Sequence, residues 1–176
     1  RLTAKPLAML GGAPMIARVI ERAARARAPH TVVVATDSDA VAGAARSAGA
    51  TPVLTRPELR SGTDRVHAAV EKMGNLDADI IVNVQGDEPL VDPDAIDLAV
   101  QLLLDDEAAD MSTLSAPLAP KWLLDASKVK VVSRPVASAR SSMASRALFF
   151  SRAPIGVERE ALCTMLREGD QRDGTA

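Results

Sequence analysis

Cysteine is almost absent: Cys163 stands alone among 176 residues, so no disulfide can form within the chain. That suits a reducing compartment, and a cytoplasmic location is the expectation. Aromatic residues make up only 2% and tyrosine is missing altogether, which removes the stacking platforms used on single-stranded nucleic acid. Nor is there an excess of positive charge, with 21 basic and 23 acidic residues giving a net of −2. A phosphate-backbone binder needs a strongly basic face, so no nucleic-acid partner is expected. The two histidines, His30 and His67, have no partner at metal-ligand spacing, and neither they nor Cys163 compose a zinc-type centre. Apolar runs stay well short of the about 18–20 residues of a membrane span, and the start does not read as a signal peptide, so no membrane partner is expected.

What is present is an ordinary globular composition, 47% hydrophobic and 25% charged. The length fits one domain able to bury roughly 70% of its unfolded surface. Two β-branched runs, Thr31 to Thr36 and Asp79 to Val84, read as strands buried on both faces. Between and after them lie stripes at helical spacing: Ile16, Val19, Ile20, Ala23, Ala24; Val41, Ala44, Ala45, Ala48; Val66, Ala69, Val70, Met73; and Ile96, Ala99, Val100, Leu103. Pro14 and Pro93 fit first helical turns, and Gly49 and Gly74 stand where helices end. Arg18, Arg22 and Arg25 fall opposite the first stripe and read as a solvated face. Strands alternating with helices predict an α/β class with a mostly parallel sheet flanked by helices. Later, Met111 to Leu118, Lys128 to Val132 and Ala147 to Arg152 read as short strands. The last two form a late β-hairpin around a Ser-, Ala- and Arg-rich loop from Ser133 to Ser145. The polar end, Arg167 to Ala176, is expected to fray.

Three segments offer chemistry. Asn83-Val84-Gln85-Gly86-Asp87-Glu88-Pro89 closes a buried strand, where ligands of open α/β sheets bind. Asp87 there suits a hard cation such as Mg²⁺, which takes one or two carboxylates plus substrate phosphates. A turn cap before Pro89, by Asp87 or Glu88, accounts for the pattern equally well. Ser61-Gly62-Thr63-Asp64-Arg65 opens the third helix, a donor-rich place for an anion, although Ser61 or Thr63 also fits an N-cap. Arg1 and Lys5 place two cations ahead of the first helix and its Gly11-Gly12 pair, fitting a polyphosphate clamp or plain solvated surface.

Taken in this order, the segments resemble the 3-deoxy-manno-octulosonate (Kdo) cytidylyltransferases, or CMP-Kdo synthetases. The resemblance is carried by Arg1 to Leu7 with Gly11 to Ile16, by Val33 to Asp37, Ser61 to Arg65, Val82 to Pro89 and Val129 to Val132, and by Leu148 to Ile155. It implies a nucleotide-diphospho-sugar transferase-like sheet over residues 1–155, with a divergent tail over 156–176. It also implies a first strand and phosphate loop before Arg1 and a C-terminal part bearing a second metal carboxylate, both missing here. The chain is thus expected to be an N- and C-terminally incomplete copy, inactive by itself. Its complete form would be a cytoplasmic homodimer serving lipopolysaccharide biosynthesis.

The implied reaction is attack of the Kdo anomeric hydroxyl on the α-phosphorus of CTP, giving CMP-Kdo and pyrophosphate with Mg²⁺ as cofactor. By the same resemblance, Arg1 and Lys5 hold phosphates and Asp87 holds the metal. Ser61, Gly62, Thr63, Arg65 and Gln85 lie by the nucleotide, and Arg152 lies toward the sugar acid. The sequence departs from the family pattern at Thr3-Ala4 for Pro-Gly, at Leu59 for histidine, at Arg60 for glutamine and at Gly156-Val157. Two other readings remain: a cytidylyltransferase for another sugar acid such as an acylneuraminate, and a non-catalytic truncated copy.

Overall fold

The computed structural model describes residues 5–74, 78–136 and 144–156, together with Glu160 and Cys163. It contains two compact units, residues 1–112 and 113–176. In the first, a 3-10 turn at Lys5–Leu7 leads into a small antiparallel hairpin, β1 (Met9–Leu10) and β2 (Ala13–Pro14). Its two-residue turn needs positive φ at both central positions, and Gly11 (55°) and Gly12 (83°) supply it. Helix α1 (Met15–Ala23) follows, with Pro14 at its N-cap. The expected solvated arginine face is in part a set of tethers. Arg18 Nε donates to Leu10 O at 3.1 Å and Arg18 Nη2 to Gly11 O, so the helix holds the hairpin turn. Arg22 Nε donates to Val91 O at 2.8 Å, while Arg25 pairs with Glu21 on the surface.

Four residues of the stripe read from sequence, Ile16, Val19, Ile20 and Ala23, are the buried face of α1, whereas Ala24 is its exposed C-cap. It packs with β3 (Val33–Thr36) and α2 (Asp39–Ser47), the latter capped by Ser38 Oγ accepting from Val41 N. Ile16, Ile20, Val34, Val41, Ala45 and Ala50 form one core cluster. Fully burying an Ile or Val contributes about 1.5–3 kcal/mol, so this cluster outweighs any single polar contact in the unit. Strand β4 (Thr51–Leu54) pairs in parallel with β3, from Val33↔Thr51 to Thr36↔Leu54. Helix α3 (Gly62–Met73) packs on both strands. Helix α4 (Pro93–Leu104) starts with Pro93 in its first turn and Asp92 as its cap. Asp97 ties α4 to the end of α1, its Oδ1 accepting from Arg27 N and Ala28 N, both at 2.8 Å.

The second unit holds β5 (Lys130–Pro135) and β6 (Ser145–Ser151), an antiparallel pair with an irregularity between Val132 and Ser133. This is the expected late hairpin, with strands reaching further than the sequence suggested: Ser133 to Pro135 and Ser145 belong to the ladder. The connection 137–143 and nearly all of the tail lie outside the described residues. Lys130 is 6% exposed, and its Nζ donates to Asp125 O and Arg152 O, both at 2.7 Å. Trp122 lies beneath two ammonium groups, Lys121 at 5.0 Å and Lys128 at 5.5 Å from its ring centre.

The α/β class holds, and its parallel part is the β3–β4 pair. Asp79 to Val84, expected as a strand, keeps a strand's alternation, with Ile80, Val82 and Val84 half-buried and Ile81 and Asn83 exposed. Val82 and Val84 pack on the cluster of Ala23, Ala26 and Ile96. Yet among the described residues this segment makes no backbone hydrogen bond and joins no ladder. The two segments do not touch edge to edge: a cavity of about 960 Å³ is lined both by β3 and by residues 78–86. Helices α1, α3 and α4 supply the rest of its wall, with Ile20, Val66, Val70 and Val100 among the apolar side chains. Met111 to Leu118 likewise forms no strand. Deuterium exchange followed by NMR checks this arrangement. Amides of Val34 to Thr36 that join the β4 ladder are expected to be protected, and those of Ile80 to Val84 to exchange at near-random-coil rates. Equal protection of both would show that Asp79 to Val84 is paired.

Candidate functional site

Residues Gln85 to Asp87 follow the extended segment, and tight turns fold the chain back: Glu88 N donates to Gln85 O and Val91 N to Glu88 O, both at 3.1 Å. Gly86 lies against α1, where a Cβ would stand 3.6 Å from Ile16 Cδ1. Gln85 lies over the start of α3: a Cβ on Gly62 would stand 3.5 Å from its Oε1 and 3.7 Å from its Nε2. Two motifs more than twenty residues apart therefore meet at bare backbone on one side and an amide on the other.

The third motif joins them through charge. Lys5 Nζ donates to Asp87 Oδ2 at 2.6 Å across 82 residues of sequence. The carboxylate's partner is thus this ammonium, which holds the Asp87 carboxyl below its usual range, slightly offset by burial. A folded-state value below the unfolded one means that the pair's contribution to stability is present above the ordinary carboxylate range. It is lost as pH falls through the lowered value. Both side chains are about half exposed, 49% and 48%, so the pair is screened and contributes little to stability.

At the entrance to α3, Ser61 Oγ accepts from Asp64 N at 3.0 Å, and Asp64 Oδ2 accepts from Ser61 N at 3.1 Å. This reciprocal capping box is the structural role foreseen for Ser61. The Gly62 and Thr63 N–H groups make no hydrogen bond among the described residues, so the positive end of α3 presents free donors beside Gln85. Arg65, read from sequence as a ligand contact, is engaged elsewhere. Its guanidinium is 18% exposed and donates to Asp37 Oδ2 at 2.9 Å, Thr55 Oγ1 at 2.7 Å and Arg56 O at 3.3 Å. Thr55 Oγ1 in turn donates to Thr36 O at 3.2 Å. Asp37 and Thr55 are the residues that sequence reasoning missed as supports of the site. Both stand just past the ends of β3 and β4, the one signal that marked them.

Lys5, Asp87, Gln85 and Gly62 are thus brought together, with Ser61, Thr63 and Arg65 on the adjoining turn. Arg1 lies outside the described residues. Arg152 belongs to the second unit, where its guanidinium donates to Ala126 O at 2.9 Å and Ser127 O at 3.3 Å, pinning that turn. Among the described residues no three His, Cys, Asp or Glu side chains cluster to hold a metal.

The family described as Cytidylyltransferase matches residues 1–171. The chain belongs to that family. It is 46% identical over 155 residues to the 3-deoxy-manno-octulosonate cytidylyltransferase of Anaeromyxobacter dehalogenans, covering 88% of this chain and 59% of that protein. With the enzyme of the same name from Chlorobaculum parvum it shares 43% over 164 residues, covering 92% of this chain and 62% of the other. A solved structure of CMP:2-keto-3-deoxy-manno-octonic acid synthetase complexed with CTP superposes with a TM-score of 0.71 at 36% identity. That match covers 92% of this chain and 63% of the solved one. The chain thus spans about three fifths of the length of these relatives.

Two substitutions test the supporting contacts around the start of α3. Ser61→Ala removes the cap and is expected to cost about 1 kcal/mol. Arg65→Met leaves Asp37 without its partner and is expected to cost about 1–2 kcal/mol, the lower end reflecting the exposure of Asp37. Urea unfolding measures both. A neutral Arg65→Met would mean that the guanidinium does not hold α3 to the strand ends.

Proposed function

We propose that this chain contributes the nucleotide-binding part of an enzyme that transfers the cytidylyl group of CTP to Kdo, giving CMP-Kdo and releasing pyrophosphate. The observation that carries the reading is the Lys5–Asp87 contact at 2.6 Å, beside Gln85 and the free N-terminus of α3. It puts a half-exposed cation, a half-exposed carboxylate and helix donors at one place, the set a polyphosphate and its counter-ion require. The names of the relatives and the bound CTP of the solved neighbour supply the base and the acceptor.

In this reading Lys5, with Arg1, draws on the β- and γ-phosphates and neutralises charge on the departing pyrophosphate. Gln85 and the Gly62 and Thr63 N–H groups orient the nucleotide; Ser61, through its cap, and Arg65, through Asp37 and Thr55, keep that turn in place. An exposed carboxylate already facing a cation fits Mg²⁺ in its one-carboxylate mode, so Asp87 would hold the ion. When bound, that ion supplies Lewis-acid polarisation of the α-phosphate. In-line attack by the sugar hydroxyl then depends chiefly on positioning, and no histidine or cysteine nucleophile is required. Arg152 is carried in this reading as a contact for the carboxylate of the sugar acid, on the family resemblance alone. A homodimeric, cytoplasmic complete enzyme remains part of this proposal.

The test uses a chain extended to the length of its relatives. Pyrophosphate release from CTP is expected only when Kdo and Mg²⁺ are both present. Asp87→Asn should cut it by orders of magnitude with an almost unchanged melt, because the ion pair it removes is half exposed. Equal release with ATP, or without Kdo, would refute the reading. Release sustained with an acylneuraminate instead of Kdo would reassign the acceptor.

A further inference from the structure

We propose that Lys5 is the built-in counter-cation of Asp87 in the nucleotide-free chain, and that an arriving polyphosphate draws the ammonium away and frees the carboxylate for a divalent cation. The inference rests on the nucleotide reading above and deepens it: nucleotide and metal bind with positive coupling, each raising the affinity for the other by the same factor.

The argument starts from geometry. The ammonium contacts Oδ2 directly at 2.6 Å. A doubly charged ion at the same carboxylate would lie within a few ångströms of that ammonium, and like charges at such separation repel. Among the described residues Asp87 belongs to no group of three or more His, Cys, Asp or Glu side chains that could absorb both cations. Metal and Lys5 therefore compete for Asp87 until something else claims the ammonium. The pair is built to exchange. Both members are half exposed, and the lysine stem has four rotatable bonds, which lets the head swing without moving the Lys5–Leu7 turn. The backbone beside it is fixed independently: Ala8 N donates to Lys5 O at 3.0 Å and Met15 N to Ala8 O at 2.8 Å. The Arg65–Asp37 pair of the same unit differs in kind. That guanidinium is 18% exposed and also bonded to Thr55 and Arg56, so it stays while Lys5 moves.

The size of the effect follows from exposure. A screened surface pair changes an equilibrium by a factor of up to about five. Metal alone should accordingly bind weakly to the wild-type chain and several-fold better once the lysine charge is gone.

Two measurements on this chain at low ionic strength test the proposal. In the first, Mn²⁺ alone is titrated, and paramagnetic broadening of the Gly86 to Glu88 amides is followed by NMR. Lys5→Met should bring the broadening to several-fold lower Mn²⁺ concentration, and Lys5→Arg, which keeps the charge, should restore the wild-type profile. Identical profiles for wild type and Lys5→Met, or no broadening centred on Asp87 in either, would overturn the exchange whatever CTP does. In the second, CTP binding is measured by calorimetry with EDTA and with Mg²⁺. Asp87→Asn should strengthen metal-free CTP binding and weaken binding with Mg²⁺, and the metal-free gain should shrink in the Lys5→Met background. The same gain in both backgrounds would overturn the coupling. A Lys5→Met shift with Mn²⁺ but no CTP binding under any condition would uphold the exchange and refute the nucleotide reading.

Discussion

A strand buried between helices has two edges, and each edge carries backbone N–H and C=O groups that need partners. In the first unit β3 satisfies one edge with β4, and its other side lines the 960 Å³ cavity. Most other features of the unit answer to this constraint. The faces of α1, α3 and α4 are apolar where they meet the cavity, and Asp79 to Val84 alternates as a strand does without acquiring a ladder. A cavity bounded by two extended segments and apolar helix faces has the lining an extended chain demands, backbone groups at its sides and hydrocarbon above and below.

Legibility in the sequence divides along the same line. Features decided by local chemistry were readable: the Ile16, Val19, Ile20 and Ala23 stripe, the Pro93 start and the Ser61 cap. Features decided by a distant partner were not. Asp79 to Val84 has a strand's composition, but a ladder is a property of two segments, and one run cannot announce that its neighbour is lacking. Arg18 and Arg22 fall on the polar side of α1 by helical spacing, yet backbone carbonyls of Leu10 and Val91 come within their reach. The engagement of Arg65 with Asp37 spans 28 residues and depends on β3 and β4 ending side by side, which no local pattern records.

The two ion pairs of the site show how solvent sorts charges into tasks. Water screens Lys5 and Asp87, so their attraction is small and reversible, a property suited to groups that change partners. The Arg65 guanidinium is largely withdrawn from water and satisfied by three acceptors; removing it would strand polar groups. The two pairs thus differ chiefly in their cations, Lys5 being 49% exposed and Arg65 18%.

The bonds made by Arg65 also close a ring of chain. The connection from Thr55 to Arg60 leaves β4 at one end and enters α3 at the other, and Arg65 reaches back to Thr55 and Arg56 from the first turn of the helix. A loop tied at its own root has few conformations left to lose when something settles on it. The ordering entropy that an open loop surrenders on binding, about 1–2 kcal/mol per residue of backbone, has here been surrendered during folding. The turn that carries Ser61, Gly62 and Thr63 would therefore meet the proposed nucleotide already in shape.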